Sequence, residues 1–417
     1  MDKIDLKEQF LRAKAASRML LSWSETKINE VLRAVADRTE LCASSILEAN
    51  ARDLARMDRR DPRYDRLMLT SERIAAIAAD MRQVACLPSP LGHEQVRRTL
   101  PNGLVLRRVS VPFGVIGVIY EARPNVSLDV FSLCLKAGSA CVLKGGSDAS
   151  VTNEAIVALI RQTLTDMRLC PDVVTLLSSG HEAAEALFEA QGLVDVLIPR
   201  GSAGLIRTVR EKARIPVIET GAGVCHAYID ASANPEMAAA IINNAKTRRV
   251  SVCNALDCVL MHRDFGQVAE ICRLLSEKKV IIYADARSYS LLSLYYPLDL
   301  LCHATPEHDG CEFLSYALCW KTVDSLDEAL EYISRYGSGH SECVITEDES
   351  IASRFEQLVD AACVYVNAPT SFTDGAQFGM GAEIGISTQK LHARGPMALE
   401  EMTTYKWLIR GNGQTRP

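Results

Sequence analysis

An unbroken apolar run, Gly114-Val115-Ile116-Gly117-Val118-Ile119-Tyr120, begins a regular alternation of strands and helices. A helix is predicted at 126–136 and a second apolar strand at 140–143. Apolar strands that are separated by helices are typical of a parallel sheet covered on both faces, and so of a doubly wound α/β domain. The alternation continues with strands at 173–177, 194–198 and 217–218 and helices at 150–167, 181–190 and 202–213.

A second α/β block is predicted after residue 253. Its strands lie near 258–262, 279–283, 317–323, 342–346 and 363–367, and its helices near 265–277, 326–335 and 348–359. The first ninety residues instead have the apolar spacing of amphipathic helices, predicted at 3–21, 24–37, 39–57 and from Thr70 onward. Residues 371–395 are rich in glycine and are predicted to form a loop.

Between the helical segment and the first α/β block, residues 97–111 predict a β-hairpin. Pro101-Asn102-Gly103 supplies the turn, because Asn-Gly favours the tight turn that joins antiparallel strands. A last strand is predicted at 405–409. Exposed hairpin edges suit pairing with another subunit, and a hairpin packed on its own chain fits the sequence equally well.

The length and net charge of the chain limit the classes of protein to which it can belong. A chain of 417 residues exceeds one hydrophobic core, so two or three domains are expected. The net charge of −6 argues against a nucleic-acid partner. No apolar run approaches the roughly 20 residues of a membrane span, and the first twenty residues lack the apolar core of a signal peptide. We therefore expect a cytoplasmic protein whose fourteen cysteines are reduced.

Residues 243–258 contain a candidate nucleophile, Cys253. Three basic residues precede it, Lys246, Arg248 and Arg249, and positive charge lowers a thiol pKa and increases the reactive thiolate. Free cysteines are, however, among the most buried residue types, and thirteen others compete here. Residue chemistry alone therefore leaves open whether Cys253 is a nucleophile or a core residue.

Three predicted strands end in segments suited to a phosphate-bearing ligand. They are 120–125, Lys144-Gly145-Gly146-Ser147 and Arg200-Gly201-Ser202. Glycines allow close backbone approach, helix starts offer N–H groups, and the cations neutralise charge. Together these segments indicate a dinucleotide at the carboxyl edge of the sheet, although the G-x-G-x-x-G fingerprint is absent.

A metal site is not expected. Cys302, His303, His308 and Cys311 are close in sequence, but their spacing fits no zinc pattern, and a polar loop explains them. A Cys–His hydrolase stays open at this point, because the chain has eight histidines and nothing in the sequence pairs one of them with Cys253.

Several stretches resemble a known family: 111–126, 143–146, 198–201, 223–226, 252–254 and 387–397. Two of them, Glu121-Ala122-Arg123-Pro124-Asn125 and Gln389-Lys390-Leu391-His392-Ala393-Arg394-Gly395-Pro396, are highly specific. On these motifs the chain resembles, essentially end to end, the γ-glutamyl phosphate reductase (glutamate-5-semialdehyde dehydrogenase) family of the aldehyde dehydrogenase superfamily.

The resemblance implies an aldehyde dehydrogenase-like α/β fold with two doubly wound α/β domains and a small β oligomerisation flap. The implied domains are a cofactor-binding domain with a helical N-terminal segment (1–94 and 112–240), a catalytic domain (241–370), the flap (95–111 and 396–417) and a returning loop segment (371–395). The implied cofactor is NADPH/NADP. Lys144 matches the lysine that reaches the adenosine ribose and phosphate, and Glu312 matches the glutamate that holds the nicotinamide ribose. Gly145, Arg200, Gly201 and Ser202 complete the expected cofactor site.

The implied reaction is the second step of proline biosynthesis from glutamate. Cys253 attacks the acyl phosphate, phosphate leaves, and hydride reduces the thioester to glutamate 5-semialdehyde. Asn125 and the Cys253 N–H are expected to hold the oxyanion, and Arg123 and Arg249 to neutralise the phosphate. Asn254 is expected beside the substrate. A homodimer or homotetramer is implied, with glutamate 5-kinase as a candidate partner.

The chain departs from the family at two places. Val250 replaces a proline before the cysteine, and Pro369 and Ser371 replace a serine and an arginine. If that arginine grips the substrate carboxylate, affinity for the glutamyl group changes. Two rivals therefore stay open, an aldehyde dehydrogenase-like enzyme acting on another small acyl phosphate or aldehyde, and a catalytically silent protein of this fold.

Overall fold

The structure is a computed structural model that describes residues 3–59, 61 and 63–416. Its helices are α1 (Lys3–Leu20), α2 (Glu25–Leu41), α3 (Ala43–Leu54), α4 (Tyr64–Leu67), α5 (Ser71–Cys86), α6 (Val126–Lys136), α7 (Ser150–Asp166), α8 (His181–Phe188), α9 (Ala203–Lys212), α10 (Pro235–Thr247), α11 (Ala269–Glu277), α12 (Ala286–Leu292), α13 (Leu326–Tyr336) and α14 (Glu349–Leu358). In this described part, no helix has the length and apolar character needed to cross a membrane.

The strands are β1 (Glu94–Thr99), β2 (Val105–Pro112), β3 (Val115–Tyr120), β4 (Ala140–Gly145), β5 (Val174–Leu176), β6 (Val196–Arg200), β7 (Cys225–Ile229), β8 (Leu256–His262), β9 (Ile281–Ala284), β10 (Leu301–His303), β11 (Ala317–Val323), β12 (Ser341–Ile345), β13 (Cys363–Val366), β14 (Ile386–Ser387), β15 (Gly395–Pro396) and β16 (Thr403–Arg410). The chain divides into two compact units. Unit 1 comprises the described residues of Met1–Thr220, Gly379–Gly385 and Met397–Pro417, and unit 2 comprises Gly221–Phe378 and Ile386–Pro396.

Unit 1 is built on a parallel four-stranded sheet in the order β5-β4-β3-β6. All six residues of β3 are buried, as the apolar run predicts. Val115 and Ile119 on one face of β3 pack in a core with Phe10 of α1, Leu187 of α8 and Val209 of α9. The predicted N-terminal helices are present, and the side chains of Ser24 and Thr70 cap α2 and α5.

The predicted hairpin supplies β1 and the central β2 of a separate three-stranded antiparallel sheet in unit 1, in the order β1-β2-β16. Its turn is closed by hydrogen bonds between Leu100 and Leu104 and between Gly103 and Leu100. Gly103 has a φ of +84°, which glycine adopts without strain. The predicted C-terminal strand pairs along the whole of β2.

Unit 2 is built on a parallel seven-stranded sheet in the order β10-β9-β11-β8-β7-β12-β13. Successive residues of β8 face opposite sides, because side chains alternate along a strand. Val259 packs in a core that includes Ile242 of α10, whereas Leu260 packs in a core that includes Phe355 of α14. Helices therefore cover both faces, and the predicted doubly wound α/β class is confirmed.

The strand predictions need correction at several places. Residues 217–218 form no strand; Val217 makes only an isolated bridge to Leu197. Strand β7 was not predicted, because His226 puts a buried polar side chain, paired with Glu342 of β12, in an otherwise apolar strand. Strands β10, β14 and β15 were not predicted either, because two or three residues are too short to show a pattern, and β14 and β15 lie in or at the end of the segment predicted as a loop.

Candidate active site

Cys253 lies on the turn between α10 and β8, and its side chain is half-buried. The next residue, Asn254, anchors this turn. Its Nδ2 donates to the carbonyl oxygens of Thr373 at 2.9 Å and Ser371 at 3.3 Å, and its carbonyl oxygen accepts a hydrogen bond from Thr370 Oγ1 at 2.8 Å. Asn254 is buried, so these bonds fix the turn that presents the thiol.

The backbone of Cys253 rests on the segment that leads into β7. A methyl group in place of the Gly223 hydrogen would lie 1.7 Å from the Cys253 carbonyl oxygen and 2.9 Å from its Cα. The buried Cys225 thiol donates to the same carbonyl oxygen at 3.2 Å. Only glycine at position 223 lets the cysteine turn sit this close to its support.

A histidine that the sequence analysis did not single out lies against the thiol. His340 Nε2 is 3.2 Å from Cys253 Sγ, and the ring is fully buried at the start of β12. Burial lowers the pKa of His340 to about 4, so the ring is neutral at pH 7. A glycine-containing turn, 337–339, precedes it, but nothing local in the sequence relates it to Cys253.

The depressed pKa of His340 predicts a component of acid destabilisation. The ordinary value near 6.5 applies to the unfolded chain, so between pH 6.5 and 4 the unfolded state binds a proton that the folded state does not. The neutral His340 ring therefore contributes its full stability to the folded state above pH 6.5, and this contribution is lost as the pH falls from 6.5 to 4. Against a His340→Gln variant, the wild type should lose at most about 1.4 kcal/mol more per pH unit. Urea unfolding at stepwise pH measures this, and equal slopes would contradict it.

The Glu312 side chain lies beside the segment that supports the Cys253 turn. Its Oε1 accepts a hydrogen bond from the Gly223 N–H at 3.0 Å, directly beside the support of the cysteine turn. The following residue, Phe313, donates its N–H to Asp257 Oδ1 at 3.0 Å. Unit 2 therefore brings together Cys253, Asn254 and Glu312 of the predicted site.

The basic residues before Cys253 take different positions. Lys246 is fully buried, where its Nζ donates to the Leu256 carbonyl oxygen at 2.8 Å and lies 3.8 Å from Asp257. Burial lowers the pKa of Lys246 and raises that of Asp257. Lys246 thus joins α10 to β8, whereas Arg248 and Arg249 are exposed.

In unit 1 the predicted cofactor residues share one edge of the sheet. Tyr120, the last residue of β3, is in register with Gly145 of β4 and Arg200 of β6. Lys144 is half-buried, and its Nζ donates to the Ser179 carbonyl oxygen at 3.0 Å. Burial lowers the pKa of Lys144. The structure therefore places Lys144, Gly145 and Arg200 in adjacent strands at the carboxyl edge.

The turn after β6 is shaped by Glu121. Its Oε2 accepts a hydrogen bond from the Ser202 N–H at 2.8 Å, and a methyl group at Gly201 would lie 2.5 Å from the same oxygen. The Ser202 hydroxyl caps α9 by accepting the Leu205 N–H at 3.3 Å. Gly201 and Ser202 thus bring the start of α9 to the same edge of the sheet.

The motif residues Arg123 and Asn125 lie between β3 and α6, and both are half-buried. Asn125 Nδ2 donates to Asp129 Oδ2 at 2.9 Å. Burial raises the pKa of Asp129 to about 6, and the nearby Arg200 guanidinium opposes the shift. The Arg200 guanidinium itself packs on Gly385, because a methyl group there would lie 2.4 Å from Nη1.

The histidines of the 302–311 segment pack on aromatic rings. His303 stacks on Tyr289 and His308 on Tyr283, each with ring centroids 3.9 Å apart. His308 Nδ1 also accepts the Thr305 N–H at 3.0 Å. The described residues contain no group of three or more histidine, cysteine, aspartate or glutamate side chains arranged to hold a metal ion.

Ser371, which stands where the family usually has arginine, is buried and donates to Asn244 Oδ1 at 2.7 Å. Its backbone carbonyl is one of the two that bind Asn254. In this chain position 371 therefore supports the cysteine turn from within unit 2.

Comparison with known proteins adds to this geometry. Residues 2–277 match the aldehyde dehydrogenase family. The gamma-glutamyl phosphate reductase of Bacteroides thetaiotaomicron is 58% identical over 413 residues, 99% of this chain and 99% of that protein. The gamma-glutamyl phosphate reductase of Chlorobium luteolum is 59% identical over 411 residues, 98% of each. The chain belongs to the gamma-glutamyl phosphate reductases of the aldehyde dehydrogenase family.

The fold of this reductase agrees with a solved relative. The crystal structure of gamma-glutamyl phosphate reductase from Thermotoga maritima has a TM-score of 0.94 and 36% identity, and the match covers 99% of this chain and 100% of that one. The predicted family and the predicted aldehyde dehydrogenase-like fold are confirmed. The reductase is accordingly an oxidoreductase, and the hydrolase reading of Cys253 and a histidine is set aside.

Proposed function

We propose that this chain catalyses the NADPH-dependent reduction of L-glutamate 5-phosphate to L-glutamate 5-semialdehyde and phosphate, the second step of proline biosynthesis from glutamate. One structural observation supports the proposal most directly. A half-buried thiol, Cys253, sits on a turn whose supporting residue, Gly223, is also bound by Glu312. This contact supports the proposal that a nucleophile, Cys253, and a nicotinamide-ribose ligand, Glu312, act close together in unit 2.

In the proposed mechanism, Cys253 attacks the acyl carbon and phosphate departs, which leaves a thioester on the sulfur. The Cys253 N–H and the Asn125 side chain stabilise the oxyanion. Arg123 and Arg249 neutralise the leaving phosphate, because guanidinium groups bind phosphate with paired hydrogen bonds. Asn254 keeps the thiol in place through its bonds to residues 371 and 373.

We propose that unit 1 binds the cofactor and that unit 2 carries the catalytic cysteine. The strand ends of unit 1 fit a dinucleotide, because a cation, two glycine turns and a helix start meet at one edge of a parallel sheet. Lys144 would hold the adenosine ribose and phosphate, beside Gly145, Arg200, Gly201 and Ser202, while Glu312 of unit 2 would hold the nicotinamide ribose. When bound, the dihydronicotinamide supplies the hydride that reduces the thioester.

Lys144→Ala is expected to raise the Kd for NADP⁺ by about tenfold or more, since a charge-assisted hydrogen bond contributes roughly 1.5–3 kcal/mol. Titration calorimetry on the protein without substrate measures this binding directly. The matched control is Lys212→Ala, an exposed lysine at the end of α9 in the same unit. Equal affinities for the Lys144 variant and the wild type would contradict the assignment.

The direct test of the reaction runs it in reverse. The protein is incubated with glutamate 5-semialdehyde and NADP⁺, with and without phosphate. NADPH should form catalytically only with phosphate, and the acyl phosphate should be trapped by hydroxylamine as a hydroxamate. Turnover without phosphate would instead indicate an ordinary aldehyde dehydrogenase.

We further propose that the reductase acts in the cytoplasm as a homodimer or homotetramer, with glutamate 5-kinase as a candidate partner. The fourteen cysteines are free thiols, the state expected in a reducing compartment. The β1-β2-β16 sheet is the proposed oligomerisation flap, because Tyr405, Trp407 and Ile409 of β16 expose large apolar side chains.

A further inference from the structure

A continuous chain of hydrogen bonds leads away from the Cys253 thiol inside unit 2. His340 Nε2 lies 3.2 Å from Sγ, and its Nδ1 lies 2.8 Å from Ser341 Oγ. Ser341 Oγ is 2.6 Å from Thr373 Oγ1, which is 2.7 Å from the Tyr365 hydroxyl. His340, Ser341 and Thr373 are fully buried, and Tyr365 is half-buried. The chain therefore runs from the reacting sulfur to the hydroxyl of a half-buried tyrosine.

We propose that His340 is a catalytic residue that takes the Cys253 proton during attack on the acyl phosphate and returns a proton to the sulfur when the aldehyde leaves. Ser341, Thr373 and Tyr365 are positioning residues that orient the ring through their hydrogen bonds. This proposal rests on the proposed function, since it assigns the proton transfers of that reaction.

The proposed proton transfer sets the direction of each hydrogen bond. In the resting enzyme the thiol donates to Nε2, so Nδ1 carries the ring proton and donates to Ser341. Cys225 is a second titratable group within bonding distance of the ring, with its sulfur 3.8 Å from Nδ1. Burial raises the pKa of Cys225, so it stays a neutral thiol and does not stabilise a charged imidazole.

The burial of His340 also decides when the proton moves. Burial holds the pKa of this ring well below that of an ordinary thiol, which disfavours a resting thiolate–imidazolium pair. The proton is instead transferred as the S–C bond forms, when the sulfur loses its affinity for the proton. The ring then holds this proton as an imidazolium, whose Nδ1–H still donates to Ser341.

The two half-reactions balance. In the first, the S–C bond forms, the bond from the acyl carbon to the bridging oxygen breaks with its electron pair on the departing phosphate, and the thiol proton passes to Nε2. The phosphate takes one proton from water and leaves hydroxide in solution, so the reaction consumes one proton overall. After hydride reduction, the thiohemiacetal oxyanion forms the C=O bond of the aldehyde, and the C–S bond breaks with its electron pair on sulfur. The imidazolium then protonates the thiolate and restores the resting state.

The test uses the full-length protein in the reverse assay with semialdehyde, phosphate and NADP⁺, where the thiol must again lose its proton to attack. His340→Gln should lower kcat by about 100-fold or more, the range of general-base catalysis, with little change in the KM for the aldehyde. The residual rate should rise about tenfold per pH unit above pH 7, because hydroxide then forms the thiolate that the base no longer generates. The wild-type rate should be much flatter. The control variant is His303→Gln, an exposed ring of unit 2.

The outcomes separate the two proposals. If the wild type shows no phosphate-dependent turnover, the proposed function fails. If the wild type turns over and the His340→Gln rate matches it, or runs parallel to it at every pH, the ring has no proton-transfer role and this inference is overturned.

Tyr365→Phe keeps the test open if His340→Gln does not fold, because it removes one hydroxyl from a half-buried ring. Because one hydrogen bond of the chain is lost, kcat should fall about three- to tenfold. This reduction in kcat should be larger in the pH range where the wild-type rate is constant than at pH 9. An unchanged kcat in Tyr365→Phe would show that the hydrogen-bond chain does not position the ring, and would overturn that part of the inference.

Discussion

Cys253→Ser is expected to lower turnover by about 10⁴-fold or more, because a hydroxyl is a far weaker nucleophile than a thiol at neutral pH. His340 Nε2 lies 3.2 Å from the half-buried Cys253 sulfur, a contact that a serine hydroxyl can also make. Folding should therefore be unchanged, as judged by the thermal unfolding midpoint. Steady-state rates in the phosphate-dependent reverse reaction measure the loss.

Cys86→Ala is the matched control for that substitution, since Cys86 is an exposed thiol of unit 1. It should retain wild-type turnover. Substantial activity in Cys253→Ser, or an equal loss in Cys86→Ala, would contradict the assignment of Cys253 as the nucleophile.

Gly223→Ala is expected to reduce turnover by at least about 100-fold, because a displacement near 1 Å of a catalytic group has effects of that size. The added methyl group would lie 1.7 Å from the Cys253 carbonyl oxygen and 2.5 Å from its carbonyl carbon. These are backbone atoms, so the clash is relieved only by moving the turn that carries the thiol. The same movement would shift the Gly223 N–H away from Glu312.

The control is Gly266→Ala in the same unit, where a methyl group would meet nothing within 4 Å. That variant should keep wild-type activity and stability. Alkylation of Cys253 by iodoacetamide, followed by peptide mapping, reports the thiol's accessibility in each variant. A Gly223→Ala enzyme with a wild-type rate would show that the turn tolerates displacement.

The fold was largely predictable from the sequence because buried parallel strands have little choice of residue. The run at 115–120 is buried at every position, so its apolar character and its neighbouring helices identify the sheet. The strand at 225–229 escaped prediction because His226 lies in it as a buried polar residue, with Nδ1 2.9 Å from Glu342 Oε2 of the neighbouring strand. A buried polar pair of this kind depends on tertiary contacts, which no local sequence pattern shows.

The candidate site was predictable only in part. Cys253 and Glu312 were proposed from family motifs, and the structure adds that Gly223 lies between them. His340 was missed because 87 residues separate it from Cys253 and only the pairing of β12 with β7 places its ring beneath the cysteine turn. Lys246 was expected to act on the thiol from its position in the sequence, yet the side chain enters the interior toward Asp257.

The most direct measurement is the mass of the enzyme after reaction with glutamate 5-semialdehyde and NADP⁺ in the absence of phosphate. Hydride transfer should then stop at the thioester, so one glutamyl acyl group should accumulate on the peptide that contains Cys253 and should disappear when phosphate is added. An unmodified Cys253, or an acyl group on another residue, would contradict catalysis through this sulfur.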